Sequence, residues 1–220
     1  MTRSLFDDTP TPYGAPELIV PGAMLLRGFA LNQTETLTRT AQQIIASAPL
    51  RHLITPGGKA MSVGMTNCGA LGWTSSRSGS RYSPTDPLTG QPWPTMPGCL
   101  LDLATRAAAE AGFDGFAPDA CLINRYLPGT RLSLHQDRDE ADMAMPIVSV
   151  SLGLPAIFLF GTDRRSDRPA KYRLAHGDVV VWGSASRLAY HGVAPLADGD
   201  HLCLERQRIN LTFRCAGQQG

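Results

Sequence analysis

The chain has 220 residues, of which 43% are hydrophobic, with 20 Lys and Arg against 19 Asp and Glu. This length and apolar content suffice for one well-buried core, so we expect a single domain over residues 1–220. The net charge of +1 excludes a general attraction for phosphate, so any contact with nucleic acid must depend on local basic patches.

The cysteines and the N-terminal sequence bear on the cellular compartment. The 5 cysteines include no Cys-x-x-Cys pair, which argues against a zinc knuckle and against a disulfide framework. The N-terminus has no apolar signal segment, and no apolar run approaches the roughly 18 residues of a membrane span. We therefore expect a cytoplasmic protein with reduced thiols and no membrane contact. We also expect it to be a monomer.

The first 112 residues predict a lead-in and two helices. Residues 1–20 are rich in Pro, Thr and Asp, which predicts a loosely attached lead-in, although residues 18–20 have the composition of an edge strand. Asn32 is the predicted N-cap of a first helix, because apolar positions then recur at helical spacing. A second helix with a broad apolar face is predicted over residues 98–112. The first is predicted to be a packing helix, and the second is expected to support a sheet.

The segment between the two helices has the composition of a lid. Residues 56–97 are crowded with glycine and proline and also contain Met61, Trp73 and Tyr82. So many turn formers predict short strands joined by mobile loops. Methionine adapts to irregular shapes and tryptophan offers a flat stacking surface, so a planar ligand is one interpretation of this segment. An ordinary core role for each aromatic residue is the other.

The second half of the chain predicts a β-structure. Short apolar strands separated by turn signals are predicted at residues 120–126, 147–152, 157–160, 171–174, 178–182 and 208–214. Many short strands without intervening helices are typical of a sandwich or a jelly roll. The fold class is therefore predicted to be mainly β with flanking helices, that is, α+β.

A candidate metal site begins with the sequence Leu-Ser-Leu-His-Gln-Asp at residues 132–137, which places His135 and Asp137 two residues apart. In an extended strand such residues share one face and lie roughly 6.6 Å apart. If His191 returns to the same point, two histidines and one carboxylate occupy one side of a metal, an arrangement that suits non-heme Fe(II). A His-x-Asp triplet alone is common by chance, and a solvated pair or a core hydrogen bond is its ordinary interpretation.

The last predicted strand alternates strictly between polar and apolar residues, with Arg208, Asn210 and Arg214 on the polar face. A half-buried strand normally turns such a face to water. Two arginines that flank an asparagine are also what a dicarboxylate needs, because guanidinium groups bind carboxylates bidentately. Asn124 and Tyr126 likewise share one face of their strand, and ordinary buried hydrogen bonding is the alternative for that pair.

Together these segments resemble the AlkB-type Fe(II)/2-oxoglutarate-dependent dioxygenases that dealkylate nucleic acids. The resemblance runs from about residue 20 to about residue 216. It depends on Asn124-Arg125-Tyr126, His135-Gln136-Asp137, His191-Gly192 and Arg208-x-Asn210-x-x-x-Arg214, with Met61-Ser62-Val63, Asn67-Cys68-Gly69 and Leu71-Gly72-Trp73 upstream. The resemblance implies a double-stranded β-helix, or jelly-roll, core over about residues 118–216. It also implies a nucleotide-recognition lid over about residues 50–97.

The activity that this resemblance implies is oxidative demethylation of bases such as 1-methyladenine and 3-methylcytosine in single-stranded DNA or RNA. The implied cofactors are Fe(II), 2-oxoglutarate and O2, and the implied products are the restored base, formaldehyde, succinate and CO2. Hydrolysis of an N-methyl bond lacks an acceptable leaving group, so redox chemistry is required. Two alternatives stay open: a dioxygenase that acts on a small metabolite or a protein side chain, and a non-catalytic jelly-roll module that binds damaged nucleic acid.

The resemblance also assigns roles to individual residues. The implied iron ligands and catalytic residues are His135, Asp137 and His191. The implied 2-oxoglutarate contacts are Asn124, Tyr126, Arg208, Asn210 and Arg214. The implied substrate contacts are Trp73, Asp139, Thr55, Met61, Tyr82, Arg138 and Arg165.

Two of these substrate assignments have specific consequences, and one position departs from the family pattern. Trp73 is expected to stack on the base opposite the His135 ring, and Asp139 is expected to accept a hydrogen bond from the exocyclic amine. A solvated loop acid is the ordinary interpretation of Asp139. Ser80 stands where close relatives carry a tyrosine that holds the nucleic-acid backbone, which leaves strand-length preference open, and Tyr82 is the neighbour that offers compensation.

Overall fold

The structure is a computed structural model that describes residues 13–217. The first seven strands are β1 (Glu17–Val20), β2 (Ala23–Leu26), β3 (Gly64–Gly69), β4 (Gly72–Ser76), β5 (Gly79–Ser83), β6 (Ala120–Tyr126) and β7 (Leu132–His135). They are followed by β8 (Ile147–Gly153), β9 (Ala156–Phe160), β10 (Ala170–Leu174), β11 (Val179–Trp182), β12 (His191–Val193) and β13 (Arg208–Arg214). The helices are α1 (Thr34–Ser47) and α2 (Gly98–Glu110).

Most of these strands form two sheets that face each other. One sheet has seven strands in the order β1-β2-β11-β8-β13-β6-β3, and the other has four in the order β10-β9-β12-β7. The strands β4 and β5 form a separate two-stranded hairpin. Neighbouring strands are antiparallel, and several neighbours are far apart in the sequence, as a jelly roll requires. The predicted fold class, a mainly β jelly roll with flanking helices, is confirmed.

The outer face of the seven-stranded sheet packs against both helices, as the sequence predicted for the second helix. Because side chains alternate along a strand, Val150, Leu211 and Phe213 project to this face, where they join Leu37 of α1 and Leu103 of α2 in one buried cluster. Each fully buried side chain of this kind stabilises the fold by roughly 1.5–3 kcal/mol. The helices therefore fix the sheet from behind and leave its inner face for the site.

The inner faces of the two sheets meet in two separate apolar clusters. One cluster contains Phe158, Phe160 and Trp182, and the other contains Tyr126 and Val193. Members of both clusters line a single cavity between the sheets. The jelly roll is therefore not filled by apolar side chains along its whole length.

The bounds of the six short strands predicted in the second half of the chain agree with the structure to within one residue, and residues 18–20 lie in the edge strand β1. Residues 1–12 of the predicted lead-in lie outside the described residues. The predicted N-cap at Asn32 is wrong, because a 3-10 turn, Leu31–Gln33, precedes α1, and the side chain of Gln33 at the N-cap position makes no capping hydrogen bond. The Thr34 amide donates instead to the Leu31 carbonyl, so the backbone supplies the hydrogen bond expected from a side chain.

The segment predicted as a lid divides into a fixed part and a hairpin. β3 is buried along its whole length at the edge of the seven-stranded sheet, so it belongs to the core. Just before it, Arg51 is bridged to Met65 and donates through Nη2 to Asp86 at 2.6 Å, which fastens residues 84–93. The hairpin β4–β5 lies between Arg51 and residues 84–93 in the sequence and is outside the sheet to which β3 belongs.

Within residues 13–217, no helix has the length and apolar character needed to cross a membrane.

Candidate active site

The three predicted metal ligands converge at one end of the four-stranded sheet. His135 ends β7, His191 begins β12, and the two are directly paired across these antiparallel strands. The Asp137 carboxylate oxygens Oδ1 and Oδ2 lie 3.6 Å from His135 Nε2 and 3.8 Å from His191 Nε2. The candidate ligand atoms all lie within 4.8 Å of one another. The predicted strand through residue 137 is wrong, because β7 ends at His135 and the loop after it carries the carboxylate to the imidazoles.

Each imidazole is oriented by its other nitrogen. Nδ1 of His135 lies 2.9 Å from the Ser133 carbonyl oxygen, and Nδ1 of His191 lies 3.0 Å from the Ala189 carbonyl oxygen. A carbonyl only accepts, so each Nδ1 carries the proton and each Nε2 keeps its lone pair. Burial, together with the neighbouring His135, lowers the pKa of His191 to about 4. His191 thus has the neutral form that a divalent metal requires, and both imidazoles turn Nε2 towards the Asp137 carboxylate.

The Asp137 carboxylate is held by an arginine from the last strand. Arg214 donates to Asp137 Oδ2 through Nη2 at 2.6 Å and through Nε at 2.9 Å. Burial tends to raise the pKa of Asp137, but Arg214 and the two imidazoles outweigh it, so the pKa lies well below its usual value. The carboxylate is therefore ionised at neutral pH and available to a cation.

The polar face of β13 lines the cavity and does not face water, since its four polar residues are at most 6% exposed. Arg208 donates from Nη2 to Ser151 Oγ at 2.9 Å, and its guanidinium carbon lies 5.0 Å from the centroid of the Tyr126 ring. Its Nε and Nη1 are buried and donate no hydrogen bond of normal geometry among the described residues. Unsatisfied donors on a buried guanidinium are costly, and a bound carboxylate would satisfy them.

The neighbouring amides complete this wall. Asn210 donates from Nδ2 to Ser149 Oγ at 2.8 Å, and its Oδ1 accepts from Thr212 at 2.9 Å. Asn124 lies opposite Asn210 in the β6–β13 register, just as Tyr126 lies opposite Arg208. The five residues predicted to contact 2-oxoglutarate therefore lie on two adjacent strands. The histidine tautomers and the unsatisfied guanidinium fit Fe(II) and a dicarboxylate.

One cavity of about 750 Å³ contains the triad, this wall and six of the seven predicted substrate contacts. Those six are Thr55, Met61, Trp73, Tyr82, Arg138 and Asp139. Arg165 is the exception, because it lines a neighbouring groove, where its guanidinium carbon lies 5.9 Å from the centroid of the Tyr190 ring. The structure thus brings together all the predicted residues apart from Arg165.

The β4–β5 hairpin contacts the loop after β7 through two neighbouring hydrogen bonds. Trp73 and Tyr82 are direct cross-strand partners in the hairpin. Trp73 Nε1 donates to Asp139 Oδ2 at 2.8 Å, and the Tyr82 hydroxyl donates to Glu140 Oε1 at 2.8 Å. Burial raises the pKa of Tyr82 well above its usual value, and the Glu140 carboxylate adds to the rise, so this hydroxyl stays a donor. Ser80 lines the cavity as well. Tyr82 was the neighbour expected to compensate for the tyrosine missing at position 80, but its hydroxyl is already bound to Glu140.

Sequence reasoning missed two buried charged residues beside the metal site, Glu140 and Arg187, which are 7% and 4% exposed. Arg187 donates from Nη1 to the Asp137 carbonyl and from Nε to the Met145 carbonyl, both at 3.0 Å. Neither residue lies in a strand or a helix with regular spacing. No alternation or motif was therefore available to identify them.

A jelly roll that brings two histidines and one carboxylate together defines a non-heme Fe(II) oxygenase, and the buried arginine wall beside them indicates a 2-oxoglutarate-dependent one. Comparison with known proteins agrees. Residues 22–214 match the model of a family described as the 2OG-Fe(II) oxygenase superfamily. The structure has a TM-score of 0.80 and 28% identity to the solved structure of OsALKBH1, and the match covers 90% of this chain and 99% of that one.

Two relatives define the match more closely. The alpha-ketoglutarate-dependent dioxygenase AlkB of Escherichia coli (strain K12) is 56% identical over 203 residues, which are 92% of this chain and 94% of AlkB. The tRNA demethylase abh1 of Schizosaccharomyces pombe is 40% identical over 134 residues, which are 55% of this chain and 44% of that protein. The chain belongs to the AlkB-type 2-oxoglutarate- and Fe(II)-dependent dioxygenases. Its cofactors are accordingly Fe(II), 2-oxoglutarate (alpha-ketoglutarate) and O2.

Proposed function

We propose that this protein removes alkyl groups from ring nitrogens of bases in single-stranded DNA or RNA by oxidation. One observation carries the proposal: a single cavity holds the metal triad, the arginine wall and, on the hairpin side, Trp73 hydrogen-bonded to Asp139. An aromatic face beside a carboxylate acceptor suits a planar base that carries an exocyclic amine. The relative named tRNA demethylase acts, by its name, on a nucleic acid.

The cofactor roles follow from the wall and the triad. We assign iron binding to His135, Asp137 and His191, the distal carboxylate of 2-oxoglutarate to Arg208, Tyr126 and Asn210, and the carboxylate nearer the metal to Asn124 and Arg214. When bound, iron and 2-oxoglutarate supply the oxidation of an N-methyl group by O2, with succinate and CO2 as co-products. The resulting hydroxymethyl group leaves the ring nitrogen as formaldehyde, which restores the base.

The residues of the lid select and hold the base. The base must leave its stack to reach the cavity, which costs least when it is damaged or already single-stranded. Stacking on Trp73 recovers roughly 1–3 kcal/mol. Asp139 accepts the indole N–H through Oδ2 in this structure, and a carboxylate has further lone pairs that can accept from the exocyclic amine of an entering base. The β4–β5 hairpin, which carries Trp73 and lies within residues 50–97, thus acts as a recognition lid.

The nucleic-acid backbone is proposed to follow the basic groove beside the cavity. Arg131 lines both the cavity and the groove, and Arg165 and Lys171 line the groove. Thr55 and Arg138 line the cavity. Since the net charge is only +1, affinity for a long strand is expected to be modest and to fall steeply with salt.

A panel of singly methylated DNA and RNA oligonucleotides, incubated with Fe(II) and 2-oxoglutarate, tests the proposal. Mass loss at the base, with formaldehyde and succinate formed in equal amounts, is the expected result. Unmethylated oligonucleotides of the same sequence and reactions without 2-oxoglutarate are the controls. Succinate without formaldehyde across the whole panel would point to a metabolite or protein substrate instead.

A monomeric state and a cytoplasmic location stay predictions, and light scattering after size exclusion tests the first.

A further inference from the structure

Glu140 is the centre of a buried charge network beside the metal site. Its Oε1 accepts from the Tyr82 hydroxyl at 2.8 Å and lies 3.2 Å from Arg214 Nε. Its Oε2 forms an ion pair with Arg187, whose Nη2 lies 3.1 Å away. The Glu140 side chain is 2% exposed. Groups from the hairpin, from the last strand and from the turn before β12 therefore converge on one carboxylate.

Both arginines of this network also hold Asp137, through different atoms. Arg214 binds the side-chain oxygen Oδ2, and Arg187 binds the backbone carbonyl. The Glu140 network, defined here as Glu140, Asp137, Arg187 and Arg214, thus contains two acids and two bases. Buried charges persist only when they are paired, and the loss of either acid would leave an excess of positive charge. The orientation of Asp137 therefore depends on Glu140, although the two side chains have no direct bond.

The hairpin enters this network through Tyr82. Tyr82 is the cross-strand partner of Trp73, and Trp73 is bound to Asp139, the residue before Glu140. A base that stacks on Trp73 beside Asp139 contacts the same hairpin that carries Tyr82. The position of the hairpin and the environment of Glu140 are thus physically linked.

We propose that Glu140 is a positioning residue that couples docking of the β4–β5 hairpin to the orientation of Asp137. With the hairpin docked, the Tyr82 hydroxyl holds Glu140 against Arg214, and Arg214 holds the Asp137 carboxylate. With the hairpin undocked, Glu140 loses that donor and the hold on Asp137 weakens. This inference rests on the proposed function in so far as Asp137 is taken as a metal ligand. The coupling makes binding of the metal depend on a docked β4–β5 hairpin.

Metal affinity in the absence of turnover tests this coupling. Co(II) is a suitable probe because its visible absorption reports its ligand geometry. It is titrated, in the presence of 2-oxoglutarate, into four proteins: wild type, Tyr82→Phe, Glu140→Gln and the double variant. Tyr82→Phe removes one hydroxyl that touches no metal ligand, so a loss of about fivefold in Co(II) affinity is expected. For Glu140→Gln we expect a loss of about tenfold or more. The double variant should bind no more weakly than Glu140→Gln, since the hydroxyl acts through that carboxylate.

Tyr172→Phe is the matched control, because it removes a tyrosine hydroxyl from β10, away from the cavity. Its affinity for Co(II) should equal that of wild type. An unchanged affinity in Tyr82→Phe would overturn the proposal, and so would losses that add in the double variant. If Glu140→Gln fails to fold, as judged by near-UV circular dichroism, the comparison of Tyr82→Phe with Tyr172→Phe decides the matter alone.

A second readout separates this inference from the proposed function. The ratio of succinate to formaldehyde should rise in Tyr82→Phe and stay at the wild-type value in Tyr172→Phe. If wild-type protein binds Co(II) but releases no formaldehyde, the proposed function is wrong and the comparison of Co(II) affinities stays valid. If formaldehyde release is normal and the Co(II) affinities of wild type and Tyr82→Phe are equal, the proposed role of Glu140 alone is wrong.

Discussion

Arg214 places two N–H groups on one oxygen of Asp137, with Nη2 and Nε at 2.6 and 2.9 Å from Oδ2. The other oxygen, Oδ1, lies 3.6 Å from His135 Nε2. A carboxylate fixed in this way has lost most of its rotational freedom before any metal binds. The orientation of the metal site is therefore set by the last strand of the jelly roll, which also carries the wall for 2-oxoglutarate.

Replacing Asp137 with asparagine is predicted to abolish metal binding while the protein stays folded. Asp137→Asn keeps the shape of the side chain and removes its charge, and Arg214 retains Glu140 as a counter-charge. The residue lines a cavity and lies outside the packed apolar clusters. We expect Co(II) affinity to fall at least about 100-fold, with a lower urea midpoint because Arg187 and Arg214 then share Glu140 as their remaining counter-charge. Retained 2-oxoglutarate consumption in the variant would contradict its assignment as a ligand.

Two substitutions at Trp73 separate stacking from hydrogen bonding. Trp73→Ala removes the ring, so KM for a methylated oligonucleotide should rise about tenfold, in line with the roughly 1–3 kcal/mol that a stacked base contributes. Trp73→Phe keeps an aromatic face and removes only the donor to Asp139, so its effect should be smaller. Steady-state kinetics with and without oligonucleotide measure both activities. Equal loss of substrate-dependent and substrate-independent 2-oxoglutarate turnover would show that Trp73 is a core residue.

The elements that sequence could predict are those with regular alternation. β6 and β13 have the predicted bounds because their side chains alternate over seven residues between a helix-covered face and a cavity. Composition alone could not decide whether the polar face of β13 meets water or a ligand, since both readings fit a half-buried strand. The resemblance to a known family decided it. The burial of Arg208 and Arg214 bears that decision out.

The parts that sequence could not predict depend on irregular backbone. The turn that carries Asp137 to the imidazoles has no periodicity, so an extended strand was the natural but wrong prediction. Glu140 lies in a run of charged residues that has the composition of a solvated loop, yet two arginines from distant segments bury it. Such convergence depends on tertiary structure. For the same reason Arg165 could be predicted as basic and exposed, but not assigned to the cavity or to the groove.

The stability of the protein is predicted to depend on pH through His176, whose Nδ1 accepts from the Gly153 amide at 2.8 Å. Burial and the nearby His201 lower the pKa of His176 from 6.5 to about 4. Between these values the unfolded chain binds a proton that the native state does not, so stability should fall as pH drops through that window. His176→Gln should lose this part of the dependence, measured as urea midpoints across the window.

The control for this prediction is His52→Gln, since His52 is exposed and its replacement should leave the wild-type dependence intact. His191 also has a pKa of about 4, and it contributes equally to all three proteins. An identical pH dependence in His176→Gln and wild type would show that His176 is not a source of the effect.

Arg208 is predicted to cost stability in the absence of 2-oxoglutarate and to supply most of the affinity in its presence. Within residues 13–217 its buried Nε and Nη1 have no normal hydrogen bond, so Arg208→Met should leave the ligand-free melting temperature unchanged or higher. Wild-type protein should gain about 2.7 kcal/mol at a ligand concentration 100 times Kd, and the variant should gain almost nothing. Arg208→Lys should be stabilised by 2-oxoglutarate to an intermediate extent, because it keeps the charge without the bidentate geometry.

The exposed Arg39 of α1 provides the control, Arg39→Met. If Arg208→Met unfolded more readily and still responded to 2-oxoglutarate, the arginine would be part of the scaffold and the dicarboxylate would bind elsewhere.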